Sequence, residues 1–201
     1  MRTNYVLIDY ENVQPNSLAG LDAEHFRVLV FVGANQNKVT FEMAAAIQKL
    51  GPRAEYVRIA GNGANALDFH IAFHLGHLST QDPAACFHII SKDTGFDPLI
   101  QHLKERQIQV SRRPTVSEIP LLRAANAQSV PQKVGVVLAN LRQRKASMPR
   151  TLKTLASTIN SLFLKQLAEE EIAAILKGLK AQGYIAVDDT KVTYAIPPSG
   201  S

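Results

Sequence analysis

The chain has a single cysteine, Cys86, which excludes an internal disulfide and any zinc site built on paired cysteines. Set in an apolar run, Cys86 is expected as a small buried hydrophobe in a protein of a reducing compartment. No apolar run approaches the roughly 20 residues that a membrane-spanning helix needs, because the first is interrupted by Asp9 and Glu11. Met1 to Thr3 open no secretory signal, so a cytoplasmic protein with no membrane partner is expected. Internal repeats and low-complexity tracts are also missing. What is there, 46% hydrophobic and 19% charged residues over 201 positions, fits one ordinary domain and a smaller one.

Charge is divided unevenly along the chain. Residues 1–130 carry 12 Lys and Arg against 12 Asp and Glu, whereas residues 131–201 carry 10 against 5, so the whole net charge of +5 lies in the rear. A neutral, acid-bearing front and a basic rear suggest that catalysis and polyanion capture belong to separate modules. The alternative is a rear part basic by composition alone.

The front alternates short β-rich runs, at residues 5–8, 28–32, 55–59, 87–90 and 108–110, with helical patterns at 40–50, 64–78 and 98–106. That rhythm predicts a doubly wound, mostly parallel α/β sheet covered on both faces. From Arg112 it fades through Pro114, Pro120 and Pro131, which reads as a linker over 113–130 with some helix at 121–127. Three helical patterns at 134–142, 152–163 and 169–182 and two strands at 184–187 and 191–196 then predict a small winged-helix module over 131–201. In a parallel sheet ligands bind beyond the carboxyl ends of the strands, and the loops expected there, 9–15, 33–38, 60–65 and 91–97, are rich in Asp, Asn, Gly and Lys.

Four acids fall on or beside those loops: Asp9 closing the first strand, Asp68 near the start of the second helix, and Asp93 and Asp97 after the fourth strand. Carboxylates so gathered suit a hard cation, Mg²⁺ or Mn²⁺. Asp68 flanks the stripe Leu67, Ile71 and Leu75, so it is expected along the sheet edge. Asp97 starts a helix, where capping competes with metal binding. Glu11 is an additional acid able to complete the site. Lys92 is placed to meet a phosphate, and Thr94 to cap the helix or hold a ligand oxygen. Asn35, Gln36 and Lys38 either contact a substrate backbone or serve as turn residues. His70, His74 and His77 recur at helical spacing but read as surface histidines.

The segments Leu7-Ile8-Asp9-Tyr10-Glu11-Asn12-Val13, Asn65-Ala66-Leu67-Asp68 and Ile90-Ser91-Lys92-Asp93-Thr94-Gly95-Phe96-Asp97 together resemble the PIN-like nucleases of the NYN type. The resemblance covers about residues 3–112, within a domain placed at 1–112, and implies a PIN-like fold and a metal-dependent endoribonuclease that hydrolyses RNA with a metal-activated water. It assigns Asp9, Asp68 and Asp93 to the metal, with Asn12 as the partner that orients Asp9. One position departs: the family often has a second acid two residues after the first in the third block, and here Gly95 stands there, leaving Asp97 or Glu11 to substitute. Rivals are a catalytically silent RNA- or DNA-binding protein and an α/β phosphatase or receiver. The latter two fit poorly, since Asp9-Tyr10-Glu11 only approximates a D-x-D and no lysine follows the last front strand. In the rear module Arg142, Arg144, Lys145, Arg150 and Lys153 are expected to meet phosphates, with RNA as substrate, DNA as a further ligand of this module, and a homodimer contact as the alternative use of that face.

Overall fold

A computed structural model describes residues 2–144 and 147–197. The chain divides between Ile119 and Pro120 into two units, each with its own core.

The front unit is built on five parallel strands, β1 (Asn4–Asp9), β2 (Phe26–Val32), β3 (Ala54–Arg58), β4 (Cys86–Ile90) and β5 (Gln109–Arg113), in the order β3-β2-β1-β4-β5. Val6, Leu7 and Ile8 of the central strand are all fully buried, as a continuous apolar run requires when both faces are covered. The edge strand β3 alternates less cleanly and leaves Glu55 and Tyr56 exposed. Helices α1 (Phe41–Leu50), α2 (Ala66–Gln81) and α3 (Asp97–Glu105) make the crossovers. Helix α1 starts where Thr40 Oγ1 accepts the Met43 N–H at 3.2 Å, and α2 buries Leu67, Ile71 and Leu75, the expected stripe. From β1 the chain winds outward to β2 and β3, then returns to the other side of β1 for β4 and β5. The reversal places a topological switch point between β1 and β4, where such sheets open a crevice.

A buried polar relay ties the same strands. Within the front core His88 of β4 meets Asn4 Oδ1 through Nε2 at 3.0 Å and Ser111 Oγ through Nδ1 at 3.4 Å. Burial holds its imidazole down to a pKa of about 4, with Arg113 adding repulsion.

The rear unit contains α4 (Pro120–Asn126), α5 (Val130–Arg144), α6 (Leu152–Leu162), α7 (Glu169–Ala181) and the antiparallel pair β6 (Ile185–Asp188) and β7 (Lys191–Tyr194). Thr151 makes a lone β-bridge to Lys191, between α5 and α6 in the chain. Within the stretch expected as linker, 113–130, the helix expected at 121–127 is present as α4, and the stretch also holds the end of β5 and a 3-10 turn at Val116–Glu118, with Ile119 and Leu122 buried. The prolines misled because Pro120 and Pro131 fall in the first turns of α4 and α5, where a missing N–H breaks no helical bond.

No helix among the described residues is long and apolar enough to cross a membrane.

Candidate active site

At the switch point a cavity of about 370 Å³ is lined by four carboxylates, Asp9, Glu11, Asp68 and Asp93, together with Asn12, Asn65 and the loop Gly61-Asn62-Gly63. Three of the carboxylates are delivered by regular elements. Asp9 is the last residue of β1, Asp68 lies in the first turn of α2, and Asp93 caps the 3-10 turn Thr94–Phe96 that leads from β4 into α3. Glu11 comes from the loop after β1 and lies over Gly33, where any side chain would overlap its carboxylate. None of the described lining residues is a lysine or arginine.

Asp9 is only 4% exposed and is held from both sides. Ser91 Oγ donates to its Oδ2 at 2.8 Å, and the Asn12 N–H donates to its Oδ1 at 3.1 Å. The fully buried Ser91 also accepts the Asp93 N–H at 3.0 Å, so one hydroxyl sets the spacing of two acids. Asn12 Oδ1 accepts the Lys92 N–H at 3.0 Å, locking the loop after β1 to the loop after β4. The assigned role of Asn12 as orienter of Asp9 is thus carried by its backbone, while its side chain joins the loops. Asn65 adopts a left-handed φ of 60°, which asparagine tolerates better than most residues, and its side chain makes no capping bond.

The electrostatics follow from this crowding. Burial pushes the Asp9 carboxyl above its usual range, opposed by the hydrogen bonds from Ser91 and Asn12 and reinforced by Asp93. Burial, then repulsion from Asp9, Asp93 and Glu11, raises Asp68. Carboxylates crowded so that Asp9 and Asp68 are raised, with no lysine or arginine in the described lining, make a set of hard oxygen donors that a divalent cation would relieve. Among the described residues, no group of three His, Cys, Asp or Glu side chains closes to ligand distance. The fit is therefore one of donor chemistry and convergence on one cavity.

Other expected site residues lie elsewhere. Asp97 does not line the cavity; its carboxylate takes both Arg112 Nε and a terminal nitrogen, at 2.8 and 3.0 Å, and this ion pair holds it below the usual carboxylate range. Thr94 is exposed and caps nothing, since Asp93 Oδ1 takes the Gly95 N–H at 2.7 Å. Lys92 is exposed beside the cavity, and Asn35 and Lys38 line a second cavity. The histidines do not converge: His70 Nδ1 meets Ala66 O at 2.7 Å, His74 packs edge-on to Phe31, and His77 Nε2 meets Gln81 at 3.0 Å.

In the rear unit Arg142 donates to Pro197 O at 3.1 Å and Arg144 to Asn140 Oδ1 at 2.8 Å, while Arg150 and Lys153 are exposed. Lys145 lies outside the described residues. Ser91 and Asn65 fell in the loops and motifs singled out from the sequence but were given no role there; the signal for Ser91 was its place between the end of an apolar strand and Asp93.

A doubly wound parallel domain with carboxylates gathered at its switch point is the architecture of a PIN-like domain. The chain belongs to the PIN domain family, whose model matches residues 3–113, and PIN domains are generally metal-dependent nucleases that use Mg²⁺ or Mn²⁺. No curated protein and no solved structure matches the chain.

Proposed function

We propose that the front unit is an endoribonuclease of the NYN type and that the cavity at the switch point is its active site. The observation that carries this reading is the convergence of Asp9, Glu11, Asp68 and Asp93 on one cavity whose described lining holds no positive charge. Asp9, Asp68 and Asp93 would hold Mg²⁺ or Mn²⁺, with Glu11 at the rim. When bound, the cation supplies an activated water and offsets charge on the phosphate. The chain's own part is to hold the donors still: Ser91 fixes Asp9 against Asp93, and Asn12 bonds both Asp9 and the backbone of Lys92. The exposed Lys92 is available to a phosphate oxygen. A reducing, cytoplasmic setting suits a chain with one cysteine.

The rear unit is proposed as a winged-helix-like module that retains nucleic acid. Support comes from its element order, helix α5, the Thr151 bridge, α6, α7 and a hairpin. Its counterpart of a recognition helix, α7, opens with Glu169, Glu170 and Glu171, which repel phosphates. This reading therefore takes Arg150, just before α6, and Lys153, in its first turn, as the phosphate contacts, with RNA favoured over the DNA major groove. A homodimer contact through this unit is the alternative.

The test is cleavage of a labelled, partly single-stranded RNA by the full chain with Mn²⁺, Mg²⁺ or chelator, beside Asp93→Asn. Metal-dependent cutting that disappears in the variant supports the nuclease. Binding without cutting by either protein would replace it with a silent PIN-like RNA-binding protein.

A further inference from the structure

A second cavity, of about 540 Å³, opens beside the acid pocket at the same carboxyl edge of the sheet. The chain leaving β1 divides the two: Asp9, Glu11 and Asn12 face the acid pocket, and Tyr10 and Gln14 face its neighbour. Asn35, Gln36, Asn37 and Lys38, from the loop after β2, form the rest of its polar wall. This wall thus holds four carboxamides and one ammonium.

The chemistry of that wall is specific. A carboxamide presents an N–H donor beside a C=O acceptor, the arrangement that pairs in bidentate fashion with the edge of a base. Asn37 Oδ1 is already engaged by Arg58 at 2.8 Å, which steadies the loop. Among the described residues, no hydrogen bond or ion pair occupies the side chains of Gln14, Asn35, Gln36 or Lys38. The Tyr10 hydroxyl accepts the Thr40 N–H at 3.4 Å and keeps its own proton to donate. Phe41 follows the lining residue Thr40 and is 83% exposed, so its ring packs little against its own domain and offers a face on which a base can stack. A cavity of this volume lies within the range of about 300–1,000 Å³ usual for small-molecule and nucleotide-sized ligands.

We propose that this cavity receives one nucleobase of a single-stranded RNA. The proposal rests on the reading of the acid pocket as the place of the scissile phosphate; the identity of the base held here then selects where the strand is cut. Unstacked bases of single-stranded RNA are read in this way, by stacking and by hydrogen bonds along their edges. Lys38 meets the phosphate of the same nucleotide.

The test is made on the full chain in chelator, so that nothing is cut, by fluorescence anisotropy with labelled homo-oligoribonucleotides of A, C, G and U. One of them is expected to bind roughly tenfold tighter than the others or more, the worth of one good bidentate pair. Asn35→Ala and Gln36→Ala, at accessible loop positions, should bring all four affinities to within about twofold of one another while melting like the parent. Phe41→Ala should weaken all four by a similar factor, because stacking tolerates any base. Equal binding of the four by the parent, a preference surviving in both amide variants, or no binding at all would overturn the proposal. A base preference without metal-dependent cutting would retire the nuclease and leave the base pocket in place.

Discussion

Asp68 stands where two demands conflict: its crowding by other acids works against the metal-free fold, while the proposed chemistry relies on it. Burial and the three neighbouring carboxylates already raise its pKa, so Asp68→Asn should raise the melting temperature in chelator while lowering cleavage by orders of magnitude. Scanning calorimetry in chelator and a cleavage assay with metal check the two halves, and a lower melting temperature in chelator would tell against the crowding. Ser91 makes the opposite kind of contribution. Replacing its buried hydroxyl by Ala leaves Asp9 Oδ2 and the Asp93 N–H without that partner. Removing such an outer-shell partner should cost about 10- to 100-fold in metal affinity or activity. It should also cost roughly 1–3 kcal/mol of stability, read by Mn²⁺ titration and urea unfolding. Gly95, where the family often has an acid, has a local reason in this chain. Its N–H bonds Asp93 Oδ1, and a Cβ there would stand 3.1 Å from the same oxygen, so a side chain at 95 would press on the neighbouring acid.

Among the elements, β5 shows why Asp97 was hard to place from sequence. Asp97 and Asp93 look alike as acids just after a strand, and only the pairing of β5 with β4 brings Arg112 across to claim Asp97. Asp97→Asn should therefore cost no more than about 1 kcal/mol, as expected for a pair whose carboxylate is exposed, and leave cleavage within a few-fold, in contrast to Asp68→Asn. Assay of the two variants from parallel preparations decides this. The strands themselves were legible because their apolar runs are continuous where both faces are buried, as in Val6-Leu7-Ile8. The second helix was legible from Leu67, Ile71 and Leu75 alone. Ser91 was not, because a serine at the end of a strand reads as a turn residue until the fold brings Asp9 to it. The relay on β4 adds a pH dependence. His88 titrates near 6.5 when unfolded and near 4 when folded, so below 6.5 the unfolded chain binds the extra proton and stability falls as pH drops through that window. The full effect is about 3 kcal/mol. Asp9 and Asp68 act in the opposite sense, since carboxyls raised in the folded state favour it at the acid end. Denaturant unfolding between pH 7 and 4 should show a net fall that shrinks in His88→Gln.

For the whole molecule, the separate cores allow the units to be tested apart. A fragment of residues 1–119 retains the acid cavity and all five parallel strands, so it should keep the metal dependence of the intact chain. Without the basic rear it should bind RNA more weakly and with a shallower dependence on salt, by about 0.7 in log–log slope for each phosphate that the rear unit neutralises. Filter binding at several salt concentrations measures this; an unchanged slope would mean that the rear unit serves something other than RNA.

The distance in sequence between the partners of the site also bears on how the protein is made. Asp9 waits for a serine 82 residues downstream, and the Ser91 N–H is in turn held by Arg113 O at 3.0 Å on the last strand of the domain. Closing contacts that remote in sequence costs loop entropy. The bonds that Ser91 makes with Asp9, Asp93 and Arg113 therefore cannot all form until the last strand of the domain has been synthesised.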